Sequence, residues 1–137
     1  MRVLIFIFLS AIVISCVQHD KEIKQAILDP NETSEMAILM REMFAQLDVI
    51  KRQIEAGEDI SHEQLQFVAI HKTETTDESF LTEGLTSMSI GFDLVVTSFN
   101  EDPSESNYKS IVNTCISCHQ GMCPGPLERI DNLILEK

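Results

Sequence analysis

Between Ser34 and Gly57 the chain carries apolar residues spaced alternately four and three apart: Met36, Met40, Met43, Leu47, Ile50 and Ile54. Only an α-helix holds such a stripe on one side over about five turns, and the spacing is that of a helix packed nearly parallel to its neighbours. Punctuation agrees. Thr33 or Ser34 can cap the start, Glu35 puts an anion in the first turn where the helix dipole favours it, and Gly57 stands where a left-handed stop is expected.

The remaining segments extend the helical pattern. A second helix is predicted from Ser61, with Gln64 completing a capping box, Leu65, Val68, Ala69 and Lys72 on its weaker face, and the polar β-branched cluster Thr73 to Thr76 ending it. A third runs from about Asp77 through Phe99 and buries Phe80, Leu85, Met88, Phe92, Val95 and Phe99. Within it Gly84 and Gly91 share a face, at a cost of ~1 kcal/mol each relative to alanine. Either something bulky approaches there or the helix simply tolerates them. After a turn at 100–106, a fourth helix runs from about Glu105 to Gln120, with Tyr108, Ile111, Val112, Cys115, Cys118 and His119 along one side and Gly121 as its stop. Pro126 can start a short helix whose Leu127, Ile130, Leu133 and Ile134 fold back on the rest. No segment has a useful strand period. The predicted fold is all-α, an antiparallel four-helix bundle whose C-terminal helix carries the cysteines.

The N-terminus is of another kind. Arg2 precedes an apolar run from Val3 to Ile14 that is too short to span a bilayer comfortably and has the length of a signal-peptide core. Val13-Ile14-Ser15-Cys16 resembles a bacterial lipoprotein cleavage box, which implies export, cleavage before Cys16 and diacylglycerol on its thiol. The alternatives are an uncleaved signal anchor and a buried helix. The expected organisation is a signal peptide at 1–15, a tether at 16–33 and one folded domain at 34–137. A formal charge of −12 argues against nucleic-acid binding, and it permits a basic protein partner as readily as it serves plain solubility.

Cys115-Ile116-Ser117-Cys118-His119 carries the chemistry. In Cys-x-x-Cys-His the two thiols add across the two haem vinyl groups, and the histidine supplies the proximal nitrogen to iron. On a helix Cys115 and Cys118 lie one turn apart with His119 four residues after Cys115, so all three project toward one side. Zinc is the main rival, since Cys115, Cys118, His119 and Cys123 are four ligands within nine positions, but adjacent Cys118 and His119 would both have to turn to one tetrahedral ion. A Cys115–Cys118 disulfide is the blandest alternative. A thioredoxin-type redox pair needs a strand-helix-strand setting that is missing here. Composition suits a flat apolar cofactor: there is no Trp, Tyr108 is the one Tyr, and beyond the signal segment the Phe residues are Phe44, Phe67, Phe80, Phe92 and Phe99.

Four helices with this motif on the last resemble cytochrome c prime and its low-spin relatives. The likeness runs from about Ser34 to Gln120 and rests on Cys115 to His119 together with an arginine on the first helix, for which Arg41 is the candidate. It implies haem c on Cys115 and Cys118, His119 as axial iron ligand, and Arg41 near a haem propionate; a surface salt bridge with Glu42 or Asp48 is the plainer role for Arg41. The tail Cys123-Pro124-Gly125-Pro126 is not a cytochrome c prime feature.

For the sixth iron position Met40, central on the first helix's stripe, is the first candidate, with Met43 second and Met36 third, although such methionines also serve as core filler. The family's distal residue lies four after the helix arginine, which here is Ala45, too small to ligate. Taken literally that register leaves a five-coordinate, gas-accessible iron; a shifted one restores a methionine. His19, His62 and His71 read as solvated side chains. Cys123 is the odd thiol, compatible with a free group, a cross-link making a dimer, or a bond to another thiol.

No Ser/His/Asp order, carboxylate pair or phosphate-binding loop suggests an enzyme. The expected function is that of a membrane-tethered monohaem c-type cytochrome of the cell envelope, facing periplasm or exterior, that passes single electrons between redox protein partners. The alternatives are a gas-binding or gas-sensing haem protein on the same scaffold and a zinc- or disulfide-stabilised structural lipoprotein.

Overall fold

A computed structural model describes residues 33–136. Its α-helices are α1 (Glu35–Ala56), α2 (Glu83–Glu101), α3 (Glu105–Met122) and α4 (Leu127–Asp131), with 3₁₀ turns at Ile70–Lys72 and Glu78–Phe80 and no strand among the described residues. The expected signal segment 1–15, the lipid site Cys16, His19 and the tether up to residue 32 lie outside the described residues. Among the described residues no helix is long and apolar enough to cross a membrane.

The caps of α1 are the ones its sequence predicts. Ser34 Oγ accepts from Ala37 N–H at 3.2 Å. Gly57 takes φ 70°, a left-handed turn that glycine adopts without a Cβ clash. Its N–H reaches the Ile54 carbonyl at 3.0 Å while Glu58 N–H reaches Gln53 at 2.9 Å, so the last carbonyls are satisfied. The buried stripe is rotated slightly from the expected one: Leu39, Met43, Leu47 and Ile50 are buried, whereas Met36, Met40 and Ile54 are half-buried.

No helix forms from Ser61. Residues 57–82 cross the molecule as an irregular connection, and Asn100 on α2 explains much of this. Its side-chain oxygen accepts from Leu65 N–H at 2.8 Å and its Nδ2 donates to the Leu65 carbonyl at 2.8 Å, so both backbone groups a helix would use are taken. Gln64 does not close a capping box; its Nε2 donates to the Asn100 carbonyl at 3.0 Å. The buried residues Ile60, Leu65 and Ile70 recur every five positions, matching neither helix nor strand, and they plug the core one at a time. Phe67 packs on Phe92 of α2 with ring centroids 6.2 Å apart.

α2 begins at Glu83 rather than near Asp77, because Asp77 Oδ1 accepts from Ser79 N–H at 2.8 Å and closes a separate 3₁₀ turn, after which Thr82 caps the helix. It buries Leu85, Ser89, Phe92, Val96 and Phe99. Nothing approaches its glycines: a Cβ on Gly91 would meet no atom within 4 Å, and one on Gly84 would meet only Thr82 Oγ1 at 3.4 Å. The turn into α3 is tied by Asn107 Nδ2, which donates to the Asp102 carbonyl at 2.8 Å.

α3 runs through Gly121 to Met122, past the expected stop. What ends it is Pro124, which drives Cys123 out of the helical region to φ −153°, ψ 82°. α4 then turns back, burying Ile130, and Leu133 follows it into the core, while Ile134 stays exposed. Tyr108 on α3, fully buried, donates its hydroxyl to the Leu133 carbonyl at 2.7 Å and fixes this tail.

Backbones approach closely between α2 and α3 and between α3 and α4, whereas α1 makes no approach of that extent to any element. Hydrogen bonds hold it at its ends. Met36 N–H donates to the Glu74 carbonyl at 2.9 Å and Ser34 Oγ meets Thr76 Oγ1 at 2.7 Å. At the other end Gln53 Nε2 donates to Glu63 at 2.8 Å and Glu136 N–H to Glu55 Oε1 at 3.2 Å.

Candidate functional site

The gap between α1 and the α3–α4 pair is a cavity of about 350 Å³, within the ~300–1,000 Å³ usual for small-molecule and cofactor sites. α1 supplies Met36, Ala37, Met40, Arg41, Met43, Phe44 and Leu47 to its wall; α3 supplies Cys115, Cys118, His119 and Met122. Cys123, Pro126, Arg129, Ile130 and Leu133 follow from the tail, with Ile70, Thr76, Phe80 and Leu85 from the connection and α2. The cysteines, the histidine, all three candidate methionines and Arg41 thus share one cavity. Ala45 is exposed and is not part of the wall, so the literal register that puts it over the iron does not fit this geometry.

His119 is buried, and its Nδ1 lies 3.1 Å from the Cys123 carbonyl oxygen. A carbonyl can only accept, so Nδ1 carries the proton and Nε2 keeps its lone pair. The contact exists because the proline-enforced break after α3 folds the Cys123 peptide back over the imidazole. Cys123 Sγ stands 3.4 Å from the same Nδ1. Nε2 has no protein partner among the described residues, and it is not sealed in, since Gln53 Oε1 is the sole enclosed side-chain polar atom there without a partner. His119 is part of the cavity wall. A hydrogen-bonded Nδ1–H with a free Nε2 is how proteins orient a histidine that ligates a metal.

Cys115, Cys118 and Cys123 are free thiols. Burial pushes Cys115 up to about 12, with the neighbouring Cys118 adding to it. Cys118 is raised by burial and then by Cys123, and Cys123 by burial alone. Thiols held neutral are weaker nucleophiles than ordinary cysteines. Among the described residues no three His, Cys, Asp or Glu side chains converge as a metal-holding group, and Cys115, Cys118, His119 and Cys123 do not form the cage a structural zinc needs.

Two further wall residues were not singled out by the sequence. Met122 lies three after His119, one turn along the same helix. Arg129 comes from α4, its guanidinium carbon 4.5 Å from the centre of the Phe44 ring. Among the described residues no Asp or Glu lines the cavity. Arg41 is exposed at the rim and pairs with neither Glu42 nor Asp48, the latter bonding Arg52 at 3.2 Å. His62 is exposed with Glu63 at 3.8 Å, and His71 is half-buried with Nδ1 2.9 Å from Ser89 Oγ; neither reaches the cavity.

The residues fit a covalently held haem: two thiols one helical turn apart, an imidazole with a free Nε2, apolar walls for the macrocycle, and cationic side chains at the rim. Compared with models of known families, with curated proteins and with solved structures, the chain matches none.

Proposed function

We propose that this protein is a monohaem c-type cytochrome, exported as a lipoprotein, tethered through Cys16 to a membrane of the cell envelope, and passing single electrons between redox protein partners. The observation that carries the reading is the His119 imidazole, whose Nδ1–H is spent on the Cys123 carbonyl and which lines one cavity with Cys115 and Cys118. When bound, haem supplies a one-electron iron couple. The chain's own residues do the rest. Cys115 and Cys118 would hold one edge of the cofactor through thioether bonds. His119 Nε2 would be the iron ligand, and the bond of its Nδ1 to the Cys123 carbonyl orients the ring. Met40, with Met43 and then Met36 behind it, would be the thioether source on the facing helix, and Arg41, exposed on the same wall, would meet a propionate. Mostly apolar walls would limit the water around the bound group, which favours electron transfer over side reactions.

In this reading the helices make an antiparallel four-helix bundle in which short α4 takes the fourth place. Haem held between α1 and α3 accounts for the stand-off of α1.

Absorption spectroscopy of the exported, mature protein tests this. The expected result is a haem spectrum that survives acid-acetone extraction, is low-spin and six-coordinate when reduced, and does not shift with carbon monoxide. Cys115→Ala with Cys118→Ala should abolish retention. Colourless mature protein, or a double variant with a normal haem spectrum, refutes the proposal; a carbon monoxide shift replaces electron carriage with gas binding.

A further inference from the structure

We infer that Arg129, on the tail helix, forms with Arg41 a two-point anion clamp that holds the carboxylates of the bound porphyrin; this rests on the haem reading above. Six Lys and Arg side chains fall among the described residues. Lys51, Arg52 and Lys109 are spent on ion pairs with Glu55, Asp48 and Glu105. Arg41, Lys72 and Arg129 have no ion pair among the described residues, and of these Arg41 and Arg129 line the cavity. In a chain of net charge −12, a wall with two unpaired arginines and no carboxylate is matched to an anionic guest.

Both cations relate to Phe44. Arg41 stands one turn before it on α1, and Arg129 covers its ring at 4.5 Å. The contact with the ring spends none of the guanidinium's N–H donors on a protein acceptor, and a carboxylate can be gripped by two of them at once. Haem bears two carboxylates on the edge opposite its vinyl groups. With Cys115 and Cys118 fixing the vinyl edge from α3, one arginine from α1 and one from α4 divide the other edge between them. Tyr108, through its bond to Leu133, holds the tail that presents Arg129.

Arg129→Gln in the haem-loaded protein tests the clamp, read by spectroelectrochemistry and by the propionate bending bands of the resonance Raman spectrum. Loss of a cation beside the haem stabilises the ferric form, so the midpoint potential should fall and a propionate band should shift. Arg129→Lys should keep most of the potential while still shifting the band, because the point charge remains but the planar fork is gone. Lys72→Gln changes net charge equally and should move neither. A wild-type potential and band in Arg129→Gln, whatever its melting temperature, overturns the clamp and leaves the haem reading standing. Should Arg129→Gln lose its haem, an unshifted band in Arg129→Lys has the same force. A colourless wild-type protein overturns the haem reading itself.

Discussion

His119 and Cys123 are joined twice, through the Nδ1 contact with the Cys123 carbonyl at 3.1 Å and through Sγ at 3.4 Å. The first bond is made by backbone and needs no thiol. Cys123→Ala should therefore retain covalent haem with its band positions unchanged, whereas an imidazole held by the sulfur would give a broadened or shifted spectrum. Haem staining after denaturing electrophoresis and a reduced-minus-oxidised spectrum check both parts.

Met40 is half-buried on α1 and lines the cavity, while Met43 is buried in the core. Met40→Ala is expected to convert a six-coordinate low-spin iron to high spin, with little loss of fold, because Met40 is not sealed in the core. An unaltered spectrum moves ligation to Met43 or Met36.

Alkaline pH should separate the haem-free chain from the loaded one. Cys115 is raised from 9.0 to about 12 by burial first and by Cys118 second. In the unfolded chain a thiol ionises near ~8.5, so the contribution of its neutral form is complete below about that pH and is lost as the pH climbs toward Cys115's folded value. The haem-free protein should lose stability over that window. With both sulfurs in thioether bonds there is no proton to release, and the Cys115 part of the slope should vanish. Thermal melts at stepped pH decide it; the same alkaline slope in both forms contradicts the claim.

Asn100 satisfies Leu65 on both of its backbone groups. Asn100→Ala strands a part-buried donor and acceptor and should cost ~1–3 kcal/mol, seen as a lower urea midpoint with an unchanged slope.

Gly91 lies inside α2 with open space where a Cβ would go. Gly91→Ala should stabilise the protein by ~0.5–1 kcal/mol, the conformational freedom that glycine gives up in a helix. A lower melting temperature would show that a neighbour does approach this face.

What could be read directly from the chain was local chemistry. Ser34 and Gly57 bracket α1 because capping depends on a few adjacent residues, and Cys115, Cys118 and His119 share one side of α3 because helical geometry leaves no other choice. The segment after Ser61 misled because Ser61 and Gln64 satisfy a local rule that Asn100, distant in sequence, overrides. Gly121 looked like a stop, yet the helix passes through it and ends before Pro124, whose steric effect reaches back one residue. Arg129 gave no signal, since its place depends on the tail folding back onto Phe44, a contact between residues 85 positions apart. Met122 was hidden by the same error: it sits one turn beyond His119, past the stop expected at Gly121.

The way α1 is attached has a mechanical consequence. Backbone and side-chain hydrogen bonds pin it at 34–36 and 53–55, and between those points only one face, that of Leu39, Met43, Leu47 and Ile50, is buried in the core. Trimming the half-buried Met40 therefore enlarges the opening at little cost, whereas trimming Leu47 takes away part of what seats the element.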